Sequence, residues 1–204
     1  TSAHSGQNAL LLYTSANEAG ASAAATIMKV SKNSSTNRSI NASGTINASG
    51  ADYAEYMTKA SDFTLSKGDI AGINSEGKLT NVFADAVSFI VKSTNPSYVG
   101  GDTWGTDEVL GKPPSKDAPQ EEKDTYSAAL EAVRETVDRM AFCGQVPVNV
   151  TGATVGDFIV PVQNGTGISG QAVSSPTLEQ YMSAVGKVIA IEDDGRAKII
   201  VKVA

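Results

Sequence analysis

The apolar positions of this chain change their spacing twice. Over residues 1–50 they come as short runs, Ala9-Leu10-Leu11-Leu12-Tyr13 and Ala25-Thr26-Ile27-Met28-Lys29-Val30, in a background of Ser, Ala, Asn and Gly. Both runs read as strands, with Asn17-Glu18-Ala19-Gly20 as a turn between them. A repeat follows: Ile40-Asn41-Ala42-Ser43-Gly44-Thr45, then Ile46-Asn47-Ala48-Ser49-Gly50-Ala51. In an extended chain residues six apart face the same way, so Ile40 and Ile46 form one apolar row. So sparse a row supports no monomeric core. Chains associating around an axis would bury it; a flexible linker would leave it free, and both readings suit a tract rich in Ser, Asn and Gly.

Past Tyr56 the texture becomes that of a compact domain. Ser66-Lys67-Gly68-Asp69-Ile70-Ala71-Gly72-Ile73 reads as a turn feeding a short strand, with Lys78-Leu79-Thr80-Asn81-Val82 as its partner. Val87-Ser88-Phe89-Ile90-Val91 is dense in β-formers and predicts a buried strand. Residues 93–119 read as a long irregular loop, of the kind that usually carries function. The period then turns helical: Tyr126, Leu130, Val133, Val137 and Met140 are spaced 4, 3, 4, 3. Acids Glu121, Glu122 and Asp124 lie early and Arg134 and Arg139 late, as a helix dipole favours, with Asp117 as N-cap and Pro119 just inside. The stripe fits packing on the domain's own sheet, or a short coiled-coil seam. Strands are predicted again over 145–150, 158–162, 183–191 and 196–203, the last two joined through Asp193-Asp194-Gly195. The expected fold class is therefore α+β, mostly β with one long helix, preceded by an extended β stalk segment. The stalk spans residues 1–48 and the domain residues 49–204.

Composition then removes chemistry. Among 204 residues there is one histidine, His4, and one cysteine, Cys143. No zinc set, Cys–His dyad, Ser–His–Asp triad or internal disulfide can be assembled, and no metal or cofactor is expected. Cys143 follows Ala141-Phe142 and is expected to be buried as a small hydrophobe. The net charge is −6 without a Lys/Arg-dense run, which argues against nucleic acid as a partner. No apolar run approaches the roughly 20 residues of a membrane span, so no membrane partner is expected. The first residues carry no signal-peptide pattern.

Candidate chemistry lies where the two textures meet, in Ser49-Gly50-Ala51-Asp52-Tyr53-Ala54-Glu55-Tyr56. A hydroxyl and two carboxylates at i, i+3 and i+6 share one side of a short helical turn, most closely if it is 3₁₀. One reading is a helix cap: Ser49 at the N-cap, an acid at N3 and Glu55 favouring the helix N-terminus. The other is backbone cleavage. Ser49 could attack the carbonyl of Ala48 and shift the acyl group from nitrogen to oxygen, or the two carboxylates could activate water. General acid–base help is worth roughly 10²–10⁴-fold, and intramolecular geometry supplies effective molarities up to ~10⁵–10⁸ M. Repulsion between Asp52 and Glu55 would raise one pKa and divide their roles. The favoured scissile bond is Ala48–Ser49.

That motif, together with Val91-Lys92-Ser93-Thr94-Asn95-Pro96-Ser97-Tyr98-Val99-Gly100 and Val155-Gly156-Asp157-Phe158-Ile159-Val160-Pro161, resembles the autoproteolytic intramolecular-chaperone domain at the C-terminus of phage tailspikes and neck appendages. The likeness covers about residues 40–204; Met57-Thr58-Lys59-Ala60-Ser61-Asp62 departs from the family's aromatic and acidic pattern. The resemblance implies a domain that trimerises a spike or fibre chain, assists its folding and cuts itself off by a single-turnover peptidase reaction close to the motif, carried out by its acids. It implies a homotrimer with its own fibre chain, action in the host cytoplasm during assembly, a virion tail or appendage as destination, and a host-surface ligand for the full-length fibre. The alternative is a non-catalytic receptor-binding or capping domain that grips its ligand with the 93–119 loop, Trp104 and Tyr98.

Overall fold

The computed structural model describes residues 33–202, apart from 106 and 116. The chain divides into two units, Thr1–Asn47 and Ala48–Ala204. The two strands and the turn predicted before residue 31 lie outside the described residues, as does His4.

In the first unit, residues 33–47 hold no strand and no helix. The Asn33 side chain accepts hydrogen bonds from the Ser35 and Thr36 amides and closes a local turn. Ile40 and Ile46 are 65% and 74% exposed. The extended β stalk expected here is therefore absent from the described residues. The reason is physical: an isolated strand with one apolar residue in six has neither a ladder partner nor a surface to bury.

In the second unit a curled sheet is built from ten strands. These are β1 (Asp52–Thr58), β2 (Ile70–Ile73), β3 (Leu79–Thr80), β4 (Ser88–Lys92), β5 (Pro96–Gly100), β6 (Val137–Val148), β7 (Phe158–Asn164), β8 (Gly167–Val173), β9 (Gly186–Ile191) and β10 (Ala197–Val201). Strand order is β3-β2-β4-β6-β10-β9-β7-β8, antiparallel throughout, with β1 lying antiparallel on β6 and parallel to β5. The far end curls back: a Cβ placed on Gly170 of β8 would meet Ile70 of β2 at 2.8 Å and Val150 at 2.5 Å. Only glycine permits that approach.

Alternation along the strands fills both faces of the sheet's middle. Ile70, Val91 and Ala141 enter one apolar cluster with Val146, Ile159 and Ile199; their neighbours Ala71, Ile90 and Met140 enter a second with Phe63, Leu65 and Leu79. Two-sided burial explains why β4 reads as a continuous apolar run rather than as an alternating one.

The expected α+β class with one long helix is corrected: the fold is mostly β. Among the described residues the α-helices are α1 (Asp107–Leu110), α2 (Gln120–Glu135) and α3 (Leu178–Ser183), of 4, 16 and 6 residues. The helix predicted through Met140 stops at Glu135, and Val137 and Met140 belong to β6, paired with Thr58 and Glu55 of β1. The heptad-like stripe was interrupted by stronger β pairing, a tertiary effect that local spacing does not register. Only Leu130 and Arg134 of α2 are buried, so the helix forms no layer of the core. Its N-cap position is Pro119, without a side-chain cap, rather than Asp117. The 93–119 loop contains β5 and α1, and β8 had no counterpart in the sequence reading. Cys143, expected inside, is exposed.

Candidate active site

The start of β1 is where exposed chain enters the sheet. Ala48 and Ser49 are exposed. At Ala51 both backbone groups are bonded: its N–H donates to the Asn95 carbonyl (3.0 Å) and its carbonyl accepts from the Gln145 N–H (2.9 Å). Gly50 sits between these conditions. A Cβ there would lie 2.2–2.3 Å from the Pro96–Ser97 peptide, so the position admits no side chain. Gly144, at φ +107°, lets β6 pass at the same closeness on the other side, where a Cβ would meet the Ala51 carbonyl and the Asp52 Cα. The Asn95 amide also reaches the Ser49 carbonyl, at 3.5 Å, and the Ser97 hydroxyl donates to the Asp52 carbonyl at 3.0 Å.

The three residues singled out at i, i+3 and i+6 do not share a helical turn. Asp52 and Glu55 belong to a strand, and Ser49 precedes it. Three residues apart along a strand means opposite faces. Asp52 and Ala54 are buried, whereas Tyr53 and Glu55 lie on the other side and are half-buried. The cap reading and the same-side reading both fail for this reason. β6 and β5 bind both edges of this segment, which its polar side chains alone do not announce.

Asp52 is the unusual group. It is 1% exposed, and neither carboxyl oxygen has a hydrogen-bond partner. Beside it is the Ser93 hydroxyl, also 1% exposed and also without a partner. Burial pushes the Asp52 carboxyl above the usual aspartate value; the Ser93 hydroxyl, the Arg139 charge and the Asn95 backbone N–H pull it back in part, none of them in hydrogen-bond geometry. The raising comes from desolvation, not from repulsion by Glu55. A buried polar group left unpaired costs about 1–3 kcal/mol, and such groups concentrate where chemistry needs them.

Glu55 is engaged elsewhere. Its carboxylate accepts a short hydrogen bond from the Tyr53 phenol. That bond, with burial and the Glu55 charge, pushes the Tyr53 phenol up to about 12. Tyr53 stacks on Tyr98 at 5.5 Å, and Phe142 meets it edge-on at 6.4 Å. Gly100, opposite Glu55 in the β1–β5 register, leaves the space that the pair occupies. The site therefore has two sides: a buried carboxyl within, and a carboxylate–phenol pair beneath exposed aromatic rings without.

Sequence reasoning named Asp52 but not Ser93, Asn95, Arg139 or Gly144 as its surroundings. Ser93 and Asn95 did lie in the second motif, Val91 to Gly100; the parallel β1–β5 pairing that brings this motif to the first has no local signal. Trp104, proposed as a ligand grip, is half-buried with its indole N–H unpartnered. Among the described residues no cluster of His, Cys, Asp and Glu could hold a metal ion.

No protein-family model and no curated protein matches the chain. A solved structure is similar to it: the crystal structure of the pre-mature bacteriophage phi29 gene product 12, with a TM-score of 0.44 and 14% sequence identity over 83% of this chain. The chain spans 24% of that chain's length.

Proposed function

We propose that this chain is the C-terminal self-removing module of a phage tail spike or fibre, which trimerises and assists folding of the chain ahead of it and then cuts near Ala48–Ser49. The observation that carries the reading is Asp52: a buried, unpartnered carboxyl with a raised pKa, at the point where exposed chain enters the sheet. A carboxyl raised above the usual aspartate value by burial is better matched to act as acid or base in amide cleavage than an ordinary surface aspartate, which is too acidic. Ser49 is the proposed nucleophile and Asp52 the proposed proton-transfer group. Glu55 faces away from Asp52, so its proposed role is at the junction of a neighbouring chain in the trimer. The sequence resemblance supports the phage assignment, the trimer and the chaperone role.

The test separates the routes. After hours at neutral pH the parent should lose its first 48 residues, seen as two products on intact-mass analysis. Ser49→Ala should stop an acyl shift but leave water attack in place. A parent that stays whole in all conditions contradicts the reading. One observation favours the second reading, a non-catalytic receptor-binding domain: Tyr98 is 64% exposed and stacked on Tyr53, an aromatic surface open to a ligand. An uncut parent that binds a host-surface glycan or protein through Tyr98 would establish it.

A further inference from the structure

We propose that Ser93 is the positioning residue of this site: its hydroxyl holds the Asp52 carboxyl in place and shares its proton. The kinetic part of this inference rests on the self-cleavage reading; the pairing of the two side chains does not.

Ser93 follows directly on β4, and its N–H donates to the Arg139 carbonyl at 3.0 Å, which fixes its backbone to β6. Asp52 is fixed as firmly at the head of β1, in register with Pro96 of β5 and Gly144 of β6. Two independently anchored strands thus bring the two side chains together, and both are 1% exposed. Neither makes a hydrogen bond to any group as placed: both Asp52 oxygens and the Ser93 oxygen are unsatisfied, and the Ser93 hydroxyl is the nearest neutral group acting on the carboxyl. A hydroxyl is both donor and acceptor, and its hydrogen rotates freely, so it pairs with a carboxylate as donor and with a carboxylic acid as acceptor. No other residue type of this size follows a proton both ways. Alanine would fill the same space and leave Asp52 with no neutral partner. The charged group acting on Asp52 is Arg139 of β6; from the segment just ahead of β5 only the Asn95 backbone N–H acts on it, and Glu55 lies across the strand.

A structural role and a positioning role separate in the pH dependence. Removing a donor from a carboxylate raises its pKa. The limb of the cleavage–pH profile governed by Asp52 should therefore move upward in Ser93→Ala, whether Asp52 acts as base or as acid. The test uses the full chain, with cleavage followed by intact mass from pH 4 to 9 and the Asp52 carboxyl followed by carbon NMR. Ser93→Ala should cut about 10-fold more slowly than the parent. Its limb and its Asp52 titration should both rise by about half a unit or more. Ser93→Cys, a weaker donor, should fall between. If rate alone falls and neither limb nor titration moves, Ser93 is structural and the inference is overturned. If the parent does not cut, the cleavage reading fails. The NMR titration still decides the pairing: a midpoint unchanged in Ser93→Ala overturns it, and a raised one sustains it.

Discussion

Asp52 should weaken the fold at neutral pH. Burial raises its folded pKa above the ordinary aspartate value of 3.8, so the folded chain binds this proton more tightly than the unfolded one. The sign follows from linkage: the proton's stabilising effect is fully present below about 3.8 and is lost as pH rises through the folded value. Thermal melts of parent and Asp52→Asn should therefore diverge between pH 4 and 7, with the asparagine chain the more stable at the upper end. A constant difference at all pH values would mean that the carboxyl is not buried in solution. Gly50 makes a second prediction at this scale. Alanine there would drive a Cβ to 2.2 Å from the Pro96–Ser97 peptide, which is backbone and cannot swing aside. Gly50→Ala should lower stability by about 3 kcal/mol in denaturant unfolding; a change within experimental error would place Gly50 away from β5. At this scale the sequence was informative about identity and poor about environment. Ser49, Asp52 and Glu55 could be named from spacing, but the partners that decide what each carboxyl does come from residues 93–100 and 137–144.

The elements show where local signals sufficed. Gly68-Asp69 and Gly156-Asp157 both form turns that launch strands, β2 and β7. In each the glycine has positive φ, and the aspartate accepts an amide three residues back, Ser66 at 2.7 Å and Thr154 at 2.8 Å. Such turns are self-contained, so the sequence announces them. β1 is the opposite case: Ser49-x-x-Asp52 spells a helix cap, and only β5 and β6 make it a strand. α2 is held by one buried group more than by an apolar stripe. The Arg134 side chain is 7% exposed, paired with Asp102 at 3.0 Å, bonded to the Tyr56 hydroxyl and stacked 5.1 Å from its ring. Burial and the Asp102 charge also push the Tyr56 phenol up. Arg134→Ala should cost about 2 kcal/mol and release α2 selectively, raising amide exchange over 120–135 while β6 stays protected. Equal loss of protection in both would show that α2 and β6 unfold together.

At the scale of the whole molecule, the sheet was legible in two of its hairpins, but not in the β7–β8 hairpin, and hidden in its closure. β2–β3, β9–β10 and the Asp193-Asp194-Gly195 turn follow from adjacent residues. The long pairings of β6 with β1, β4 and β10 do not, because nothing in residues 137–148 says which strands will flank them. Assembly is the next level. A homotrimer predicts a light-scattering mass three times the 21.0 kDa of one chain, and a monomer at micromolar concentration would refute it. The opposite facing of Asp52 and Glu55 adds a sharper expectation. If Glu55 serves a neighbouring chain, co-expressed Asp52→Asn and Glu55→Gln chains should regain some of the cleavage that each lacks alone. No regain in mixed trimers would remove Glu55 from the chemistry.

On the proposed function, the buried Asp52 carboxyl drives a single self-cleavage at the head of β1. Intact-mass spectrometry of the purified full-length parent and of Asp52→Asn, followed over hours at neutral pH, tests it most directly. The parent should convert to two products that meet near Ala48–Ser49, while Asp52→Asn stays at full mass with its fold retained. A parent that remains at 21.0 kDa, or an Asp52→Asn chain that cuts at the parental rate, would contradict it.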